Sequence, residues 1–300
     1  MQGGPTPLRS SAIARRPAEG NDSAPAGNGR AGATTEVGVT TTQATFSECT
    51  VSVAGLSMHV MQGGDGPSAV WLHHSTGPLG WLPLHERLAE RLHVSAPDLP
   101  GYGRSERPVW ARHPRDIAVL LGRAIAKLEL EPTLLIGHGF GGWVAAELAT
   151  MNPSALRGLV LVGAAGLKPD EGEIIDHIFF TFSDYVKEGF HAAAAFEAFF
   201  GADGSKEHKE LWDFSREMTS RLTWKPWMFN RQLAPLLPEV DVPTLLVWGA
   251  EDRVVPLDCG RQYAAAMPNA RLEIVPGAGH LVELEAPDAL AALITEFAGA

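Results

Sequence analysis

The chain has 300 residues, with 24 Lys+Arg against 35 Asp+Glu and a formal net charge of −11. That balance argues against nucleic acid and anionic membrane as partners, because both are held by clustered positive charge. With 45% hydrophobic residues and no apolar run near the ~20 residues of a membrane span, the expectation is a globular protein with a sizeable core.

Residues 1–45 contain no Phe, Trp or Tyr and are rich in Gly, Ala, Thr, Ser and Pro. Such a segment buries too little apolar surface to offset its ordering entropy, so it reads as a disordered tail. Arg15-Arg16 would suit a twin-arginine export signal, but the next residues, Pro17 to Asn21, are not apolar. Two alternating segments, Cys49–Val53 and Met58–Met61, read as a hairpin. Ala69–His73 is a nearly continuous apolar run, as in a buried parallel strand. A helical stretch from Leu84 to Leu92 and a strand at His93–Ala96 follow. Ile117, Leu120, Leu121, Ala124, Ile125 and Leu128 share one face of a helix. Thr133–Ile136 is a strand leading through a Gly-rich turn into a helix over Trp143–Thr150. Leu159–Val162, Thr244–Trp248 and Arg271–Val275 are further strands. Strands alternating with helices predict an α/β fold: a doubly wound, mostly parallel sheet of eight strands. Ligands on such sheets sit beyond the carboxyl ends of the strands.

The expected core covers residues 46–166 and 236–300, interrupted by an insertion over 167–235. The insertion holds nine Phe, Tyr185, Trp212, Trp224 and Trp227 and has no strand-like alternation. It reads as short helices forming a lid over an apolar pocket, although each ring alone could simply anchor that lid to the body.

The turn after Ile136 reads Gly137-His138-Gly139-Phe140-Gly141-Gly142-Trp143. A strand passing into a helix through small residues matches the nucleophile-elbow pattern G-x-S-x-G. Four more motifs accompany it in order: His73-His74-Ser75-Thr76-Gly77, Asp98-Leu99-Pro100-Gly101-Tyr102-Gly103-Arg104-Ser105, Trp248 to Pro256, and Pro276-Gly277-Ala278-Gly279-His280. Through them the chain resembles the α/β-hydrolase fold family, in particular its lidded esterases, C–C hydrolases and dehalogenases. The resemblance spans residues 46–300. It implies Asp252 as the acid, His280 as the histidine, and the N–H groups of Ser75 and Phe140 as the oxyanion hole.

The nucleophile position is Gly139, which has no side chain to form a covalent intermediate. What remains is a His280–Asp252 dyad for general acid–base chemistry, with extra room expected at residue 139 for a water or a substrate atom. His74 is a second departure, since relatives usually carry Gly there. His74, His138 and Trp143 are pocket candidates. The imidazoles of His73, His74, His138 and His280 raise the question of a metal, but the resemblance makes His73 structural and turns His138 away from the pocket. No metal and no cofactor is expected. Ser75 is a weaker candidate for a displaced nucleophile, Glu251 and Glu283 for alternative acids, and Asp98 for bracing its loop. Cys259 reads as a plain small residue. Cys49 and Cys259 form no disulfide ladder and suit a reduced, cytoplasmic setting.

The expected function is an enzyme acting on a small, largely apolar carbonyl substrate without a serine nucleophile, of hydrolase, lyase or isomerase type. A catalytically inactive pseudoenzyme binding a hydrophobic ligand, and a Ser or Asp hydrolase with its nucleophile replaced, are the alternatives. Oligomeric state is left open.

Overall fold

The short apolar runs become eight strands: β1 (Ser47–Val53), β2 (Leu56–Gly63), β3 (Ser68–Leu72), β4 (His93–Pro97), β5 (Thr133–His138), β6 (Leu156–Val162), β7 (Thr244–Gly249) and β8 (Ala270–Val275). In this computed structural model, residues 46–299 are described, so the expected tail over 1–45 lies outside the described residues. The strands form one sheet in the order β1-β2-β4-β3-β5-β6-β7-β8. The β1/β2 and β2/β4 pairs are antiparallel and the rest are parallel. This is the mostly parallel eight-stranded sheet that the alternation implied.

The central strands read as unbroken apolar runs because both of their faces are covered. Leu134 and Ile136 of β5, Val160 and Val162 of β6, and Leu245 and Val247 of β7 join one core with α1 (Pro83–Ala89) and α9 (Pro287–Ala298). The residues between them, Leu135, Leu159, Leu161 and Leu246, join the other core with α2 (Pro114–Lys127) and α3 (Phe140–Met151). Period-two side chains thus meet helices on each side. Burial of each such Leu contributes about 1.5–3 kcal/mol. The apolar face of α2 is buried as its spacing required, except for the half-buried Leu128. Its start is set by Pro114 in the first turn, with His113 Nδ1 accepting from Arg115 N–H and Asp116 Oδ2 accepting from His113 N–H. α3 begins three residues before the expected Trp143. The glycines that hid its first turn are the ones that let the strand pass tightly into the helix.

Between β6 and β7 the chain forms α4 (Phe182–Glu188), α5 (Ala193–Phe200) and α6 (Lys206–Thr223), with 3-10 turns at His177–Phe179 and Ala234–Glu239. α6 has 18 residues, longer than the short helices expected of the insertion. Its start is capped by Ser205, whose hydroxyl accepts from His208 N–H. The two ends of the insertion are stitched together where Gly166 N–H donates to Met228 O and Asn230 N–H donates to Gly166 O. After β7 come α7 (Leu257–Ala266) and, beyond β8, α8 (Val282–Glu285). Among the described residues no helix is long and apolar enough to cross a membrane.

Candidate functional site

The turn from β5 into α3 is the sharp elbow that the glycine pattern required. Gly139 sits at φ 53 and ψ −111, on the positive side that L side chains rarely adopt. A Cβ at Gly137 would run into the carbonyl of Gly141, so this position admits no side chain. Gly139 N–H donates to Val162 O at 2.9 Å, and its carbonyl accepts from Trp143 and Ala165 N–H. The turn is therefore locked to β6 and its loop. Phe140 opens α3, where first-turn N–H groups have no intrahelical acceptor.

Asp252 lies in the loop after β7 and His280 in the loop after β8, both at the carboxyl end of the sheet. His280 Nδ1 is 2.7 Å from Asp252 Oδ2, and the two side chains are 0% and 1% exposed. Asp252 Oδ1 accepts from Val254 and Val255 N–H, each at 2.9 Å. A carboxylate aimed at Nδ1 fixes the proton there and leaves a lone pair on Nε2. That Nε2 is buried and has no hydrogen-bond partner among the described residues. The His280 loop is held from several sides. Gly279 N–H donates to Glu285 Oε2, and Leu281 N–H donates to Gly189 O at the end of α4.

The space expected at Gly139 is not open. A Cβ built there would overlap His74 Cδ2, with His280 Nε2 at 3.0 Å and His74 Nε2 at 3.1 Å. The imidazole of His74 occupies the place where a side chain on residue 139 would begin. It packs edge-on against His280 (ring centroids 4.6 Å, 69°) and stacks with Tyr185 (6.1 Å). Burial, followed by the neighbouring His280 and His138, holds His74 well below the usual histidine range.

His138 does not line the pocket. Its ring stacks on His74 at 5.0 Å, its Nε2 donates to His280 O at 2.9 Å, and its Nδ1 is 3.1 Å from Glu283 Oε1. Burial alone would lower its pKa, but Glu283, with the His280 carbonyl and Asp252, together outweigh burial and raise it. Glu283, an alternative acid by its sequence, is instead the buried partner of His138. Trp143 does not reach the pocket either: its Nε1 donates to Glu147 Oε1, which also accepts from Asn230 Nδ2. The helical turn carries that indole into the core, away from the sheet edge. His73 is fully used, with Nδ1 at 2.7 Å from His74 O and Nε2 accepting from Leu99 N–H. Asp98 braces its loop by accepting from Arg104 N–H at 2.8 Å. Cys259 is buried and its thiol pKa is pushed up to about 12, chiefly by burial. Glu251 lies half-buried beside Asp252. Among the described residues no group of three His, Cys, Asp or Glu is arranged to hold a metal.

Ser75 N–H has no acceptor among the described residues, while its carbonyl accepts from Thr219 Oγ1. Its hydroxyl lies 3.1 Å from Tyr185 OH and within 3.4 Å of both nitrogens of His74. One hydroxyl cannot serve both ring nitrogens at once, and the shorter contact, 3.1 Å, is to Nε2. The insertion supplies groups that no motif announced. His177, Tyr185, Trp212 and Arg216 border a cavity of about 10 Å³ together with Ser75 and Thr76, room for about one water. Arg216 lies over the Phe182 ring and donates to Phe180 O. Tyr185 was visible only as one ring in the aromatic cluster.

A model of the alpha/beta hydrolase family matches residues 64–293. The chain is 28% identical to 2-hydroxymuconate semialdehyde hydrolase of Pseudomonas sp. (strain CF600), over 82% of this chain and 92% of that protein. It is 28% identical to 2-hydroxy-6-oxo-6-phenylhexa-2,4-dienoate hydrolase of Burkholderia cepacia, covering 83% and 94%. Among solved structures, a meta-cleavage product hydrolase from Pseudomonas fluorescens IP01 superposes with a TM-score of 0.71 at 22% identity, covering 84% and 97%. A bacterial membrane phospholipase A superposes with a TM-score of 0.72 at 23% identity, covering 85% and 86%.

Proposed function

The chain belongs to the alpha/beta hydrolase family, and from that premise we propose that it is an enzyme acting on a small, largely apolar carbonyl compound by proton transfer at His280, without a nucleophilic side chain at residue 139. The observation that carries this reading is the Nε2 of His280, buried without a partner while Nδ1 is bound to Asp252 at 2.7 Å. A histidine oriented in this way takes a proton, and the adjacent carboxylate stabilises the imidazolium that forms. The N–H groups of Ser75 and Phe140 would receive negative charge on a substrate oxygen. A positioned acid–base group contributes ~10²–10⁴-fold and an oxyanion donor ~10²–10³-fold, enough for hydrolysis of an activated bond, elimination or isomerisation. The names of the relatives describe hydrolases of a semialdehyde and an oxo-dienoate, which supports a carbonyl substrate here. The helical insertion would act as the lid, and two free cysteines suit a reduced, cytoplasmic protein.

The experiment is a turnover screen of apolar esters, enol esters, lactones and 1,3-diketones, comparing wild type with His280→Ala and Asp252→Asn. Loss of on the order of 10²-fold or more is expected in His280→Ala and also in Asp252→Asn, because Val254 and Val255 N–H hold the Asn carbonyl oxygen and turn its NH2 toward Nδ1, which leaves the imidazole proton on Nε2. An active protein whose His280→Ala variant keeps full rate would overturn the reading.

One observation favours a second reading, a ligand-binding pseudoenzyme: the ring of His74 fills the nucleophile's place, and the cavities lined by His74 and by Ser75 are only about 20 and 10 Å³. A protein inert to the screen yet stabilised by apolar ligands on heating would select it. A Ser or Asp hydrolase with its nucleophile merely replaced is less well supported, because the original side chain would have met His74.

A further inference from the structure

We propose that the outer surface around α6 is a docking face for an anionic lipid bilayer, with aromatic side chains entering the headgroup layer and basic ones holding its charge. The inference is independent of the chemistry assigned to His280.

Apolar exposure is concentrated there. Among the described residues nine large apolar side chains stand exposed, and six of them are Val109, Trp110, Ile178, Phe179, Phe214 and Trp224. Side-chain contacts gather these six around one helix. Phe214, Glu217 and Arg221 are spaced three and four apart on α6, so they share one flank. Arg107 lies over the Phe214 ring and pairs with Glu217, while Arg221 donates to Val109 O and Ala111 O. The loop carrying Val109 and Trp110 is thereby fixed beside that flank. On the other flank Arg216 donates to His177 O and Phe180 O, and His177 Nε2 is 3.0 Å from Ser220 Oγ. Ile178 and Phe179 are therefore held there, with Phe179 84% exposed. Trp224 follows the last residue of α6, one turn beyond Ser220 and Arg221, and is 65% exposed.

Charge points the same way. The chain carries −11 overall, the balance that argued against an anionic membrane, but this face departs from it. Five cations, Arg107, Arg112, Arg216, Arg221 and Lys225, stand here against three carboxylates, Asp176, Asp213 and Glu217. Among the described residues only Arg107 of these cations pairs with a carboxylate. Arg112, Arg216 and Arg221 donate instead to backbone carbonyls, which fixes their side chains without cancelling their charge.

These two properties select the occupant. Trp and Phe suit the boundary between headgroups and acyl chains, and Arg and Lys beside them suit anionic headgroups. A second copy meeting this face with its own would set the same positive excess against itself, whereas an anionic headgroup layer complements it.

The test is co-sedimentation of the full chain with vesicles of phosphatidylcholine alone and of phosphatidylcholine mixed with phosphatidylglycerol. Wild type should bind the mixed vesicles at least about tenfold more tightly than the neutral ones. Raising salt from about 0.1 M to about 1 M should weaken that binding. The triple variant Trp110→Ser/Phe179→Ser/Trp224→Ser should lose on the order of 10²-fold, and Lys225→Ala about fivefold. All four positions are exposed, so the thermal midpoints of these variants should stay near wild type. Phe199→Ser/Ile274→Ser, which removes exposed apolar side chains elsewhere on the molecule, should bind as wild type. The proposal is overturned if wild type does not sediment with the mixed vesicles, or binds both kinds equally. It is also overturned if the triple variant binds as wild type, or if the Phe199/Ile274 variant loses as much. A lipid-free dimer in sedimentation velocity that dissociates in the triple variant would assign the face to a second copy and overturn it as well.

Discussion

The ring of His74 and the bare Cα of Gly139 occupy one site between them, because any side chain on residue 139 would begin inside His74 Cδ2. Gly139 keeps the elbow backbone at φ 53, so the turn persists while the atom it normally presents is replaced by an imidazole arriving from the loop after β3. The two departures from the family pattern therefore meet at one place in the fold.

Serine-directed reagents should find no target in this elbow. A fluorophosphonate is expected to leave the intact mass of the protein unchanged, since Gly139 offers no oxygen and the ring nitrogen nearest Ser75 Oγ, His74 Nε2, carries the proton while Nδ1 accepts from Thr76 N–H. Tyr185, its other neighbour, is held protonated by burial. An adduct mapped by peptide mass to Ser75 would assign the nucleophile to that residue instead.

Acid should weaken the fold through two buried histidines. Burial lowers the pKa of His85 from 6.5 to about 3, and likewise that of His177. The unfolded chain then binds protons that the folded chain refuses, so their contribution is fully present above pH ~6.5 and is lost as pH falls toward 3. Each shift corresponds to roughly 4–5 kcal/mol at the acid end. Urea unfolding from pH 7 to 4 should show falling stability, with a shallower slope in His177→Gln. A pH-independent midpoint would contradict this.

The pair behind the dyad carries the opposite sign. The pKa of His138 is raised, because Glu283, the His280 carbonyl and Asp252 together outweigh the opposing effect of burial. Its contribution is fully present below the unfolded value and is lost as pH rises through the raised folded value. Glu283→Gln should cost about 3–5 kcal/mol near pH 6, as when one partner of a buried ion pair is removed. The gap to wild type should narrow as pH rises. A loss equal at pH 6 and pH 9 in urea titrations would show that the pair is not charged.

Much of the frame was legible in the sequence, because apolar runs such as Thr133–Ile136 and the motif order after them report short-range patterning. The start of α3 was missed, since Gly141 and Gly142 mimic a loop while serving a tight strand–helix passage. The partnership of His74 with Gly139 was out of reach: each departure was visible, but their contact depends on how β3 and β5 pair in the sheet. Trp143 and Glu283 were misplaced for a related reason, as helical phase and loop direction decide which way a side chain turns. His177 and Arg216 lie in an insertion with no motif, where only the aromatic content hinted at a wall.

The most direct test asks whether His74 truly holds the nucleophile's place, by measuring hydrolysis of p-nitrophenyl acetate, with intact-mass detection of an acyl-enzyme, in Gly139→Ser and in His74→Gly/Gly139→Ser. The single variant should form no acyl-enzyme, because its serine meets the His74 ring, whereas the double variant should gain on the order of 10²-fold or more in hydrolysis and accumulate an acetyl group on Ser at 139 beside His280. A single Gly139→Ser variant that acylates as readily as the double variant would contradict the account, since it would mean that the nucleophile's place was open all along.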